Sequence, residues 1–250
     1  MKIAVIGASG LIGNKLVDRL AADGHDVVAA SRRTGVDVLT GEGLADALAG
    51  ADAVIDVLNS PDFSDGPVMD FFTTSTTNLV SEATKAGVGH YVALSIVGTD
   101  GLPGSGYLRA KVAQEAEIEA GPIPYTILRS TQFFEFIGRI AQSSMNGESV
   151  YLPPVFVQPE SADDVAATLA DVAVNEPVNG IVELAGPEEF RLDELVRAFL
   201  SANSDPRRVT VDIQAPYFGA ELEYFSLTPG GNARIAPTHF EDWLSQSLAP

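Results

Sequence analysis

The 250-residue chain has no cysteine. That removes disulfides, thiolate nucleophiles, thiolate zinc sites and iron–sulfur clusters together. Its three histidines, His25, His90 and His239, are scattered and form no ligand pair. No carboxylate run has the spacing of a calcium loop, so no metal is expected. Basic residues are scarce: 15 Lys+Arg stand against 34 Asp+Glu, a formal charge of −19. A field of that sign repels phosphate backbones and argues against a nucleic-acid partner. Only four lysines occur, Lys2, Lys15, Lys85 and Lys111. No apolar run approaches the roughly 18 residues that mark a membrane-spanning helix. No apolar leader precedes the first strand pattern, so a cytoplasmic location is the expectation. Internal repeats and low-complexity linkers are also missing.

What is present is an alternation. Apolar strand-like runs lie at Ile3–Ile6, Asp26–Ala30, Val54–Val57, Tyr91–Leu94 and Tyr125–Leu128, with a brief edge piece at Val36–Leu39. Helix-like stretches fill the gaps: Leu11–Ala22, Gly43–Ala49, Phe71–Ala86 and Leu108–Glu119. Strands apolar on both faces, joined by crossover helices, imply a doubly wound parallel α/β sheet of Rossmann-like type. The pattern loosens after Arg129. Residues 1–130 read as the nucleotide-binding core, and 131–250 as a small C-terminal substrate lobe packed on it in one compact unit. The lobe carries helices near Phe134–Gln142, Asp163–Val174, Leu192–Ser201 and His239–Leu248, and strands at Ile181–Leu184 and Val209–Ile213.

The first strand runs into Gly7-Ala-Ser-Gly-Leu-Ile-Gly13 and then a helix. One glycine permits the tight turn, another lets backbone approach a pyrophosphate, and a third lets helix and strand pack closely. The helix start offers unpaired N–H groups and a positive dipole end to an anion. Gly7, Ser9, Gly10, Leu11, Ile12 and Gly13 are therefore candidate dinucleotide ligands. The second strand ends in Ala30-Ser-Arg-Arg33 with no carboxylate to take a ribose 2′-hydroxyl. Ser31, Arg32 and Arg33 suit a 2′-phosphate instead, so NADP(H) is expected over NAD(H). Asp37 and Val38 are candidates for the adenine side. Leu58, Asn59 and Ser60, at the carboxyl end of the next strand, are candidates for backbone contact with ribose or pyrophosphate.

These residues resemble the short-chain dehydrogenase/reductase superfamily, and more closely its atypical NmrA-like branch. The resemblance continues through Val54-Ile-Asp-Val, Ala93-Leu-Ser-Ile-Val-Gly, Tyr107-Leu-Arg-Ala-Lys111, Thr126-Ile-Leu-Arg-Ser-Thr-Gln-Phe-Phe and Leu184-Ala-Gly-Pro. It implies a Ser–Tyr–Lys set. Tyr107 would be the acid/base, Lys111 would lower its pKa and hold the nicotinamide ribose, and Ser95 would bind the substrate oxygen. Asn78 would steady a proton-relay water. Tyr107 and Lys111 are four apart, hence on one helix face. A departure from the family pattern is Arg129-Ser-Thr131 where Pro-Gly is common. Gln132, Phe133, Phe134, Phe136 and Tyr151, with Ser95, are the candidate substrate pocket, aromatic and suited to a small hydrophobic substrate. The reading is NADPH-dependent reduction of a ketone, enone or imine. A quinone reductase and a non-catalytic NADP(H)-sensing regulator are the rivals, and homo-oligomerisation is left open.

Overall fold

The computed structural model describes residues 1–248. Its central sheet is parallel and seven-stranded, in the order β12-β9-β5-β4-β3-β1-β2. These strands are β1 (Lys2–Ile6), β2 (Asp26–Ala30), β3 (Ala53–Asp56), β4 (His90–Ile96), β5 (Tyr125–Ser130), β9 (Gly180–Ala185) and β12 (Arg234–Ile235). The intervening helices are α1 (Leu11–Ala22), α2 (Leu44–Leu48), α3 (Asp65–Ala86), α4 (Gly106–Ala120) and α6 (Ala162–Val174). The chain thus forms the doubly wound Rossmann-like α/β sheet expected from the alternation. β1 has β2 on one side and β3 on the other, so the strand order reverses there. Ligands of open α/β sheets bind outside the carboxyl ends of strands at such a reversal.

The chain divides into two compact units. The first comprises residues 1–95, 106–129 and 165–182, and the second 96–105, 130–164 and 183–250. The chain crosses between them several times.

In the first unit, Ile3, Ala4, Val5 and Ile6 are essentially inaccessible, as a central strand covered on both faces must be. Its core joins Ile6, Leu44, Leu48, Val54, Leu79, Tyr91 and Ile127. Helix α3 begins at Asp65, earlier than the expected Phe71. Asp65-Gly-Pro67 looks like a breaker, but proline in a first turn lacks only an N–H that the helix does not use. The helix stops at Gly87, which takes φ +73°. Val36–Leu39 is not an edge strand. Asp37 instead bridges Glu42 across a turn, and Val36 and Val38 point into the core.

The second unit adds β6 (Met145–Asn146), β7 (Ser149–Leu152) and β11 (Arg208–Val211) as a three-stranded sheet, and β8 (Phe156–Val157) with β10 (Phe190–Arg191) as a pair. Helices α5 (Ile137–Ser143), α7 (Leu192–Ala202) and α8 (Phe240–Ser247) accompany them. The glycine-rich stretch 96–105 is held by close approach: a Cβ on Gly98 would lie 2.2 Å from Ser226 O. Among the described residues no helix is long and apolar enough to cross a membrane.

Candidate active site

The three glycines of the first turn have separable tasks. Gly7 takes φ +91°, and a Cβ there would sit 2.9 Å from Val57 O, just past β3. Gly13 packs α1 on the turn so tightly that a Cβ would lie 2.2 Å from Gly7 O. Gly10 is different. Its Cβ position has one neighbour within 4 Å, Gly7 O at 3.3 Å, a tight contact but one that a shift of a few tenths of an ångström relieves, unlike the overlap at Gly13. The N–H groups of Leu11, Ile12 and Gly13 have no acceptor among the described residues, and the first turn of α1 carries no acidic side chain. Ile12 contributes only backbone, since its side chain is core, whereas Ser9 and Leu11 are exposed. An anion-accepting helix start beside a residue kept free of side chain fits a pyrophosphate.

Past β2, Thr34 Oγ1 accepts from the Ser31 N–H at 2.9 Å and fixes a short 3-10 turn over Arg32–Thr34. Arg32 and Arg33 project from it, both exposed. Arg32 lies 4.0 Å from Asp37, while Arg33 has no ion-pair partner among the described residues. Asp37 is thus a partner of Arg32, and it also accepts from the Leu39 N–H. Val38 is a core side chain whose carbonyl accepts from the Asn78 amide at 2.9 Å. That corrects the expectation for Asn78. Its amide nitrogen is committed to Val38 O and Leu39 O and pins the loop after β2. It stands about two turns of α3 beyond Phe72, the residue that packs near Tyr107.

The segment after β3 also departs from expectation. The Leu58 N–H is taken by Asp56 Oδ1 at 3.0 Å, and the Ser60 N–H by Asn59 Oδ1 at 2.9 Å. Those amides are spent within the protein and are not free for a ribose. With its oxygen engaged, the Asn59 side chain turns to the Tyr107 hydroxyl. Tyr107 stands against Phe63, centroids 5.1 Å apart, and Phe72 at 6.0 Å. Enclosure of the phenol pushes it up to about 12, and the Asn59 hydrogen bond opposes this.

Lys111 behaves otherwise than the Ser–Tyr–Lys pattern implies. It is 2% exposed, donates to Leu94 O at 2.8 Å and to Gln114 Oε1, and lies 4.6 Å from the Phe72 ring centre. Burial pulls it down to about 8, against the pull of Asp56 and Glu115. The influences on Tyr107 are burial and Asn59, and the phenol is raised rather than lowered. The expectation that Lys111 depresses the Tyr107 pKa is therefore corrected. Ser95, at the carboxyl end of β4 and next to Leu94, is 3% exposed, and its hydroxyl has no hydrogen-bond partner. Sequence reasoning missed Asn59 as the phenol's partner, and with it Asp56 and Gln114. A carboxylate ending the buried strand Ala-Val-Ile-Asp56, and a glutamine one helical turn from Lys111, were the available signals.

In the second unit the aromatic residues divide. Phe134 is fully buried against Phe240 and Trp243, at 5.5 and 5.3 Å, so it is core and not pocket. Phe133 stacks on the half-buried Phe136 at 5.3 Å. Tyr151 lies in β7 and, among the described residues, has no aromatic neighbour, so it does not join that pair. The side-chain oxygen of Gln132, Oε1, is buried without a partner. Where Pro-Gly was expected, Arg129 forms a buried bidentate pair with Glu115 in the first unit. In the second unit, Ser130 and Thr131 both donate to Glu160. Glu160 is wholly buried and raised to about 8 by that burial.

Divinyl chlorophyllide a 8-vinyl-reductase of Oryza sativa subsp. indica is 29% identical over 85% of this chain and 61% of its own length. The photosystem II assembly factor Ycf39 of Synechocystis is 25% identical over 60% of this chain and 51% of its own. The chain spans only about half to three-fifths of these curated relatives. Among solved structures, a dTDP-glucose 4,6-dehydratase from Streptomyces venezuelae with bound NAD superposes with a TM-score of 0.75 at 18% identity, covering 98% of this chain and 95% of that one. A Thermus thermophilus UDP-glucose 4-epimerase in complex with NAD gives 0.73 at 17% identity, covering 98% and 96%. At such identities these two establish the fold alone. The profile of the NAD(P)H-binding family matches residues 7–176, from the first glycine of the turn to beyond α6, and the chain belongs to that family.

Proposed function

We propose that the chain is an NADPH-dependent reductase of a hydrophobic substrate bearing a carbonyl, an imine or a double bond conjugated to a carbonyl. The carrying observation is the Ser95 hydroxyl, buried without a partner at the carboxyl end of β4. A buried orphan donor is costly, and a ligand oxygen is one way to satisfy it. When bound, the reduced nicotinamide cofactor would supply a hydride. Ser95 then donates a hydrogen bond to the substrate oxygen as negative charge gathers there. Tyr107, held protonated across the neutral range, delivers the proton to it. Lys111 binds α4 to Leu94 O beside Ser95 and places a positive charge behind that oxygen. Phe63, 46% exposed and against the Tyr107 ring, offers apolar surface to the substrate. The similarity to proteins named 8-vinyl-reductases supports including reduction of a carbon–carbon double bond in this class.

The test follows NADPH absorbance with ketones, enones, imines and quinones. Ser95→Ala is expected to lower kcat/KM about 100-fold or more, as loss of an oxyanion donor does, with NADPH affinity within a factor of about three. Full activity in Ser95→Ala would overturn the assignment. A second reading, a nucleotide-sensing assembly or regulatory protein, is favoured by the inward engagement of Lys111 and the similarity to Ycf39. A silent panel combined with tight NADPH binding would select it.

A further inference from the structure

Lys111, Gln114, Asp56 and Tyr91 form one polar chain inside the first unit, and each is at most 2% exposed. The ammonium donates to Leu94 O at 2.8 Å and to Gln114 Oε1. Its third direction faces the Phe72 ring. The Gln114 amide nitrogen donates to Asp56 Oδ2 at 2.9 Å. The same oxygen accepts from the Tyr91 hydroxyl at 3.0 Å, and Asp56 Oδ1 accepts from the Leu58 N–H. An ammonium has three donors and here all three are engaged. The buried cation and the buried anion are joined through a neutral amide, oxygen end toward the lysine and nitrogen end toward the carboxylate.

That arrangement is not the obvious way to neutralise a buried lysine. A direct Lys–Asp contact would give more Coulombic energy, because attraction falls with distance and the interior screens weakly. The glutamine spacer keeps the charge at Leu94 O, one residue from the orphaned Ser95 hydroxyl, while Asp56 still compensates it. Gln114 is three residues from Lys111 on α4, so both emerge on one helix face.

We propose that Gln114 is a positioning residue. It receives the Lys111 ammonium and, anchored by Asp56, holds it at the carboxyl end of β4 beside Ser95. The proposal rests on the reductase reading for the use of that charge, but its first test does not need turnover. The groups acting on Lys111 are Asp56 from β3, whose carboxylate also holds the Tyr91 hydroxyl of β4, and Gln114 and Glu115 from α4, with Glu115 already tied to Arg129 of β5 and Phe72 of α3 supplying an apolar wall. Loss of the Gln114 acceptor removes a hydrogen bond that is stronger to the charged ammonium than to the neutral amine, so the lysine should give up its proton at lower pH.

The experiment is a pH titration of Lys111 by NMR in protein labelled with 13C and 15N in lysine. Only four lysines contribute, and Lys111→Met identifies the signal. Gln114→Met is expected to lower the Lys111 midpoint by about one pH unit relative to wild type. Gln114→Glu, which puts a carboxylate beside the ammonium, should move it upward. Opposite movements in two variants of similar shape are not what a purely structural residue would produce. An unmoved midpoint in both variants overturns the proposal, and if Gln114→Met fails to fold, the upward shift in Gln114→Glu decides alone. Activity then separates the two readings. A moved midpoint with kcat/KM of Lys111→Met equal to wild type leaves Gln114 as the holder of Lys111 and removes Lys111 from the reductase mechanism. A moved midpoint with kcat/KM lowered tenfold or more in Gln114→Met, at nearly constant NADPH KM, supports both.

Discussion

The side chains that a glycine lacks are the sharpest test available at the scale of one residue. Gly13 and Gly10 belong to the same turn yet are glycine for different reasons. Gly13→Ala would force a Cβ to within 2.2 Å of Gly7 O, so backbone must move. The expected cost is about 1–3 kcal/mol, as for other overpacked sites, read as a lowered urea midpoint. Gly10→Ala meets only Gly7 O at 3.3 Å, and Ala suits the φ −80° found there. Its thermal midpoint should stay close to wild type while NADPH affinity falls tenfold or more. Equal loss of stability in both variants would contradict this division. Arg33, exposed and without an ion-pair partner among the described residues, is the freer of the two arginines for a 2′-phosphate. Arg33→Ala should reduce the preference for NADPH over NADH by about tenfold or more, since a charged hydrogen bond contributes roughly 1.5–3 kcal/mol. Unchanged selectivity, measured as the ratio of the two dissociation constants, would return the cofactor question to NAD(H).

Helix and strand are locked together by charges that neither element could bury alone. The Arg129 guanidinium of β5 meets Glu115 of α4 at 3.0 and 2.6 Å, and the two side chains are 10% and 6% exposed. Bidentate geometry satisfies both groups and fixes the angle at which α4 lies on the sheet. Glu115→Ala would take away the carboxylate paired with a buried guanidinium, at an expected cost of about 3–5 kcal/mol in denaturant unfolding. The double replacement Glu115→Leu with Arg129→Met should recover most of that loss, because apolar groups of similar size need no partner. Should the single and double variants unfold at the same urea concentration, the pair contributes little. The other end of α4 is fixed by Asp65 of α3, which pairs with Arg109 at 2.6 Å and against which Gly106 is packed. Tyr107 and Lys111 thus ride on a helix tied down at both ends.

For the molecule as a whole, charge sets how stability responds to solution conditions. A net charge of −19 repels itself in the folded state, so added salt should raise the thermal midpoint. Against that background Glu160 contributes a pH dependence of its own. Burial, with Asp164 adding to it, raises its carboxyl from 4.5 to about 8, and bonds from Ser130 and Thr131 only partly oppose this. The folded state therefore keeps a proton that the unfolded chain releases. This contribution to stability is fully present below about pH 4.5 and is lost as pH rises to about 8. Glu160→Gln removes it. Urea midpoints of wild type and variant should diverge across that window, the variant gaining steadily toward pH 8. Parallel curves would show that the carboxyl is not buried as a neutral acid. Lys111 acts in the opposite sense and higher up: lowered from 10.5 to about 8, it makes stability rise with pH between those values.

The chain by itself determined the elements whose signal is periodic or set by glycine spacing. The turn after β1, the helix that follows and the alternation of buried strands are written in local periodicity and in glycine spacing, and α1 spans Leu11–Ala22 as its pattern says. The same logic exposed Tyr107 and Lys111 on one face of α4. It could not say where the lysine would turn, because its choice of Gln114 and Leu94 O over the phenol depends on β3 and β4 arriving behind it. Nor could it tell that Phe134 would be core and Phe136 half-buried, since both are aromatic and two residues apart. The two-residue strands β6, β8 and β10 carry no pattern at all and exist only because a partner strand lies alongside. Periodicity reports that a face is buried. The identity of what buries it, and hence the direction and protonation of every polar group there, is decided only when distant segments meet.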